Sequence, residues 1–244
     1  MAAYSNVDIS YLVGSIEVAC NAKSIELSTE CSALDTTAMC TSTGWTSSIA
    51  GLRSSTFAAS LMSDMVALGL DDTLIGYFAT ADVPQSLSIG SADGSLTYFW
   101  RGMATSYVAL DGNVGDLAMS QFSGKSSTGP MIRGSRVHPT SVARSATGNG
   151  AAFQLGTVSA SKALHAALHV LDRTGTASMT LKIQSDDNSG FTTPTDRIST
   201  FTAAAARGYQ WGSVAGAITD DWWRCVYTIT GTGTITFGVS AGIA

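Results

Sequence analysis

The feature that most restricts this chain is alternation with a period of two. In residues 23–30, Ile25 and Leu27 alternate with Ser24, Glu26, Ser28 and Glu30, the pattern of a strand with one buried and one wet face. Short strands are expected at 52–62, 85–89, 96–103, 105–110 and 115–124. After residue 151 they resume at 153–158, 164–171, 178–184, 198–203, 222–230 and 234–239. Turn residues separate them, as in Asp93-Gly94 and Asp111-Gly112-Asn113. One helix is expected, over 71–80, where Asp71 and Asp72 suit an N-terminus and Leu74, Tyr77 and Phe78 share a face. Composition agrees: 33 Ser, 29 Thr and 25 Gly, with only 13% charged residues, exclude a coiled coil or long helical bundle. Twenty aromatic residues argue against disorder. The expected class is all-β: a sandwich or barrel with one short flanking helix, plus a C-terminal jelly-roll-like β-sandwich.

Two prolines, several glycines and Arg133, Arg136 and Arg144 mark residues 124–150 as a change of character. The chain therefore divides into 1–124, a basic linker or arm at 125–150, and 151–244. Net charge is −5, unevenly placed: residues 1–122 hold 3 basic and 12 acidic side chains, residues 123–244 hold 10 and 6. An acidic front does not grip nucleic acid, because neutralising phosphates takes Lys and Arg. Residues 31–51 read as a long polar loop carrying isolated Leu34, Trp45 and Ile49, apolar groups that need something to pack against. The opening residues lack a basic start and an apolar run, so no export signal is expected. Residues 225–244 carry no acidic or basic side chain, yet their Gly-Thr-Gly turn reads as a hairpin rather than a membrane helix. Cys20, Cys31, Cys40 and Cys225 fit no metal or redox spacing and are expected as reduced thiols.

No motif carries catalysis. Gly124-Lys125-Ser126 resembles the end of a phosphate loop, but Met119 stands where its first glycine belongs. His165 and His169 sit four apart without the glutamate of a zinc motif. On a strand they lie ~13 Å apart, too far to share an ion. Asp186-Asp187-Asn188 reads as a turn rather than a calcium loop. Trp211, Trp222 and Trp223 are candidate C-terminal surface aromatics for a sugar, with core packing as the competing explanation. The expectation is a non-enzyme without metal or cofactor.

Order and spacing supply a resemblance. Ile25-Glu26-Leu27, Leu34-Asp35-Thr36-Thr37, Gly44-Trp45 and Ile49-Ala50-Gly51-Leu52-Arg53, then the helix after Asp71 and Gly115-Asp116-Leu117-Ala118-Met119, resemble siphophage major tail tube proteins over residues 5–125. The resemblance implies a tail-tube β-sandwich or barrel whose copies form hexameric rings, stacked into a tube through which double-stranded DNA passes without specific binding. It implies an inter-ring loop bearing Leu34, Asp35, Thr36, Thr37, Gly44, Trp45, Ile49, Gly51 and Leu52. It also implies tape-measure and tail terminator or tip proteins as partners, no membrane, and location in the virion after synthesis in the host cytoplasm. In the tube that the resemblance implies, the wet face of residues 23–30 turns Glu26 and Glu30 toward the lumen, and the acidity of the front adds Glu17. The alternative reading is a virion adhesin whose C-terminal sandwich binds carbohydrate.

Overall fold

The structure is a computed structural model that describes residues 8–37 and 46–244. It is all-β apart from one short helix and a single 3₁₀ turn. In chain order the front holds β1 (Ile9–Val13), β2 (Ile16–Glu17), β3 (Ala22–Asp35), β4 (Ser48–Met62), α1 (Leu70–Tyr77), β5 (Val83–Ile89), β6 (Leu96–Asp111), β7 (Met119–Ser126) and β8 (Ile132–His138). The short β9 (Ala143–Arg144), β10 (Gly148–Asn149) and β11 (Phe153–Gln154) lead to β12 (Ala163–Arg173), β13 (Ser178–Asp186) and β14 (Thr195–Ile198). The chain closes with β15 (Gly208–Ala215), β16 (Trp222–Thr230) and β17 (Ile235–Ile243).

Alternation explains most of this. Along β4, Phe57, Ala59 and Leu61 are buried while Ser54, Thr56 and Ser60 are not. Register carries the same face across the sheet, pairing Ile25 with Ala59 and Ala59 with Phe122. The sheet folds over so that Tyr11, Val13 and Val83 from β1 and β5 share one core with Phe57, Leu61 and Phe122 from β4 and β7. Trp100 stands in its middle, with ring centroids 6.2 Å from Tyr11 and 5.8 Å from Phe57. Helix α1 closes that core with Leu70 and Leu74, and Asp71 and Asp72 lie in its first turn, where the helix dipole favours acids.

Details differ from expectation. Residues 199–203 are not a strand, because β14 ends at Ile198 and Phe201 reaches the core from irregular backbone. Residues 105–110 are the far end of β6, not a separate strand, because β6 runs unbroken for 16 residues. Most of the expected loop at 31–51 is hairpin: β3 and β4 pair out to Leu34–Ile49 and Asp35–Ser48. Its polar Ser/Thr run hides the period of two, but these residues suit strands well. Strand β15 falls in a stretch without clean alternation because both faces are packed: Tyr209 lies on Tyr77 and Trp211 on Phe99, while Gly212 on the other face abuts Ile198 and Phe201. Within the expected arm, residues 132–138 form β8, hydrogen-bonded to β6 on one side and β17 on the other.

Strand β8 thereby makes one sheet of strands from both halves. A second core lies between β12 and β17 (Leu164, Leu168, Phe237, Val239) and β13 and β16 (Leu181, Ile183, Trp223, Tyr227), a sandwich as expected. Gly134 is where β8 crosses β17. A Cβ there would meet the carbonyl oxygen of Ala241 and come 2.8 Å from the Cα of Gly242. Gly134→Val should therefore push the two strands apart. We expect it to destabilise by about 3 kcal/mol or more, with early protease cleavage in 139–150. Unchanged protease resistance would show that the crossing tolerates a side chain.

Candidate functional site

The front sheet contains a four-stranded portion, ordered β3–β4–β7–β6. Strand β3 pairs only with β4, so among the described residues its other edge has no strand partner along 14 residues. At the far side, β5 pairs with β6 only as far as Gly102, and Ala79 donates to the Ala104 carbonyl at 3.1 Å. Beyond that point, among the described residues, 105–111 of β6 pair with β7 alone. This portion therefore has two open edges. Unpaired backbone N–H and C=O groups on an edge are a template for another strand.

One face of these four strands covers the front core. Register places Ser24–Ser60–Gln121–Val108, Glu26–Ala58–Ser123–Ser106 and Ser28–Thr56–Lys125 in rows on the other, with Glu30 beside Ser54. Hydroxyls dominate this face, and Ser28 and Thr56 bond each other at 2.8 Å. Its charges are Glu26 and Glu30 against Lys125. Both glutamates are exposed. Glu17 does not share the face: it is half-buried on β2, where Ser10 donates to its Oε1 at 2.5 Å, and it lies near the buried Arg136. The front's acidity concentrates elsewhere. Asp64, Asp71, Asp72, Asp111 and Asp116 lie in or beside the loops at one end of the four strands. Those loops are joined by a hydrogen bond from Ser63 N–H to the Ala118 carbonyl. Burial and a hydrogen bond to Asp71 hold the Tyr107 hydroxyl at this end above its usual range.

The opposite end carries the tip of the β3–β4 hairpin. Leu34, Ile49 and Leu52 are exposed there, Leu52 at 88%. Gly51 packs against Ser32 across the hairpin. Hydrogen bonds from the Thr37 side chain and from its N–H, the latter at 2.8 Å, hold the Asp35 carboxyl below its usual range, and the Thr36 N–H donates to the Ser47 carbonyl across the hairpin. Gly44 and Trp45 lie outside the described residues.

The candidate sugar platform is not assembled. Trp223 is wholly buried and donates its Nε1–H to the Gly156 carbonyl at 2.9 Å. Its neighbour Trp222 points to the opposite face of β16, half-buried. Trp211 packs on Phe99 with centroids 5.4 Å apart and under the Arg101 guanidinium at 5.6 Å, so it joins the two halves. The reason is plain alternation: adjacent residues on a strand cannot share a face. His165 and His169 do lie on one strand, β12. No cluster of metal-ligating side chains occurs among the described residues. Among them too, no helix is long and apolar enough to cross a membrane. Cys20 and Cys31 are exposed free thiols, while burial pushes the Cys225 thiol up to about 12.

No protein-family model matches this chain, and no curated protein does. Solved structures do. A chain from the virion of a native gene transfer agent particle is 16% identical, with 53% of this chain and 97% of that one covered at a TM-score of 0.42. A chain of the sheath–tube complex of an extracellular contractile injection system, PVC, is 10% identical over 55% and 92%, with a TM-score of 0.43. The Dit protein of SPP1, a hub of the adsorption apparatus in phages infecting Gram-positive hosts, is 12% identical over 97% and 99%, with a TM-score of 0.34. At these scores the likeness is partial, and the function proposed for this chain is carried by its own geometry.

Proposed function

We propose that this chain is a structural subunit of a phage tail tube, and that copies join edge to edge through β3 and residues 105–111 of β6. The observation that carries this reading is the four-stranded portion with two open edges and an uncovered hydroxyl face. A contact between two different edges is heterologous, and such contacts generate rings when the rotation closes. Six copies would make one continuous inner barrel. The hydroxyl face would line it, with Glu26 and Glu30 as its carboxylates and Lys125 as its counter-charge. Double-stranded DNA carries a charge every ~1.7 Å of axis, so a lumen with few cations gives it no grip.

The two edges differ in length. Residues 105–111 can cover only half of the 14-residue β3 edge. The uncovered part leads to the hairpin tip, which in this reading reaches the next ring. Burying Leu34, Ile49 and Leu52 there would contribute about 1.5–3 kcal/mol each before ordering costs. The C-terminal sandwich, across β1 and β5 from the hydroxyl face, would form the outer wall. Tape-measure and terminator or tip proteins are the further partners this reading implies, and the virion is its place.

Electron microscopy of the purified protein tests the proposal. Rings or stacked tubes with a central pore are the expected result. Monomers that stay discrete at high concentration, across salt and pH, would overturn it.

A further inference from the structure

The two halves meet across a buried polar seam. Ser86 and Ser88 of β5 and Thr97 of β6 face Arg136 of β8 and His169 of β12, and all five are buried. The Nδ1 of His169 lies 2.7 Å from the Gly14 carbonyl, which can only accept, so Nδ1 carries the proton. Its Nε2, 2.8 Å from Ser86 Oγ, then accepts from that hydroxyl. One neutral tautomer fits. His138 is fixed in the same way. Its Nδ1 donates to the Phe237 carbonyl at 3.2 Å, and its Nε2 accepts from Arg144 Nε, also at 3.2 Å. A guanidinium only donates, so a cationic His138 would set N–H against N–H. Its ring also stacks on Phe237 at 4.0 Å and meets Tyr227 edge-on at 5.4 Å.

The charged surroundings favour neutrality. Arg136 faces His169, and Arg144 faces His138. The carboxylates of the seam, Asp8, Glu17 and Asp93, face Arg136 instead, with Asp93 also facing Arg144. Among the described residues no carboxylate hydrogen-bonds or ion-pairs either histidine. Both histidines tie the halves together: His169 reaches from β12 to the β1–β2 turn and β5, and His138 sits where β8 pairs with Val239 of β17.

We propose that this seam is an acid-labile joint, in which protonation of His138 and His169 loosens the attachment of the C-terminal sandwich to the front half while both cores stay folded. Burial above all holds both rings well below the usual histidine range, at about 4. Stability from each neutral ring is therefore full above about 6.5 and is lost as pH falls toward 4. Opening that exposes one such ring is favoured roughly 20-fold more at pH 5 than at pH 7, and both rings multiply.

Hydrogen exchange, corrected for intrinsic pH dependence, tests this on the full chain. The expected result is that protection falls between pH 7 and 5 at Gly14 and in the amides that bond β8 to β17, while the β1–β5, β4–β7, β12–β17 and β13–β16 pairs keep theirs. Simultaneous loss everywhere, or no loss at the seam, would overturn the joint. His169→Gln keeps a neutral donor and acceptor and should remove one roughly 20-fold factor. An unchanged acid response in that variant also counts against the proposal. If the variant does not fold, the wild-type exchange pattern decides alone.

Discussion

A proline scan through residues 25–30 of β3 is expected to fall into two classes. Along an antiparallel strand the backbone N–H groups alternate between the partner and the opposite side. Among the described residues strand β3 has a partner on one side only, β4. Proline where the N–H points to β4 removes a ladder bond and should destabilise the subunit. At the alternate positions it removes only an outward N–H, which an edge strand tolerates. Those outward variants should keep the wild-type circular dichroism and unfolding midpoint yet form no tubes. This all-or-none loss follows from placing the ring contact on the β3 edge. If every folded variant assembles like wild type, copies do not meet there.

Trp223→Ala should cost about 3–5 kcal/mol, the usual range for emptying a large aromatic site in a core. Trp223 is wholly buried among β13, β16 and the Gly156 segment. Its loss also leaves the Gly156 carbonyl without its indole donor. Trp222→Ala, on the other face of the same strand, should cost much less. Urea unfolding compares the two. Equal effects would mean the alternation along β16 is misassigned. The same experiment bears on carbohydrate recognition, because a residue that holds the core cannot also serve as an exposed sugar platform.

The two charge arguments show how local pattern and tertiary placement divide. The alternation of Ile25 and Leu27 with Glu26 and Ser28 determined which face of β3 is wet, since side chains on a strand point to opposite sides. That needed no partner strand. The acidity of the front half did not determine where its charges sit. Five aspartates gather at one end because β4 leads into the loop before α1 and the β6–β7 turn folds beside it. The wet face is mainly hydroxyl, and Glu17 lies apart from it beside Arg136.

The sequence by itself determined that this protein is all-β, that its helix starts at the paired aspartates, and that its C-terminal strands form a sandwich. Each follows from period, capping and turn residues, which act within a few neighbours. Only the tertiary structure decided that β8 stitches the halves into one sheet, that β3 and the end of β6 are open edges, and that His138 and His169 are buried. Pairing partners are chosen over separations of about a hundred residues, as for His138 and Val239. A strand's own sequence records which face is apolar, but not which strand will lie beside it.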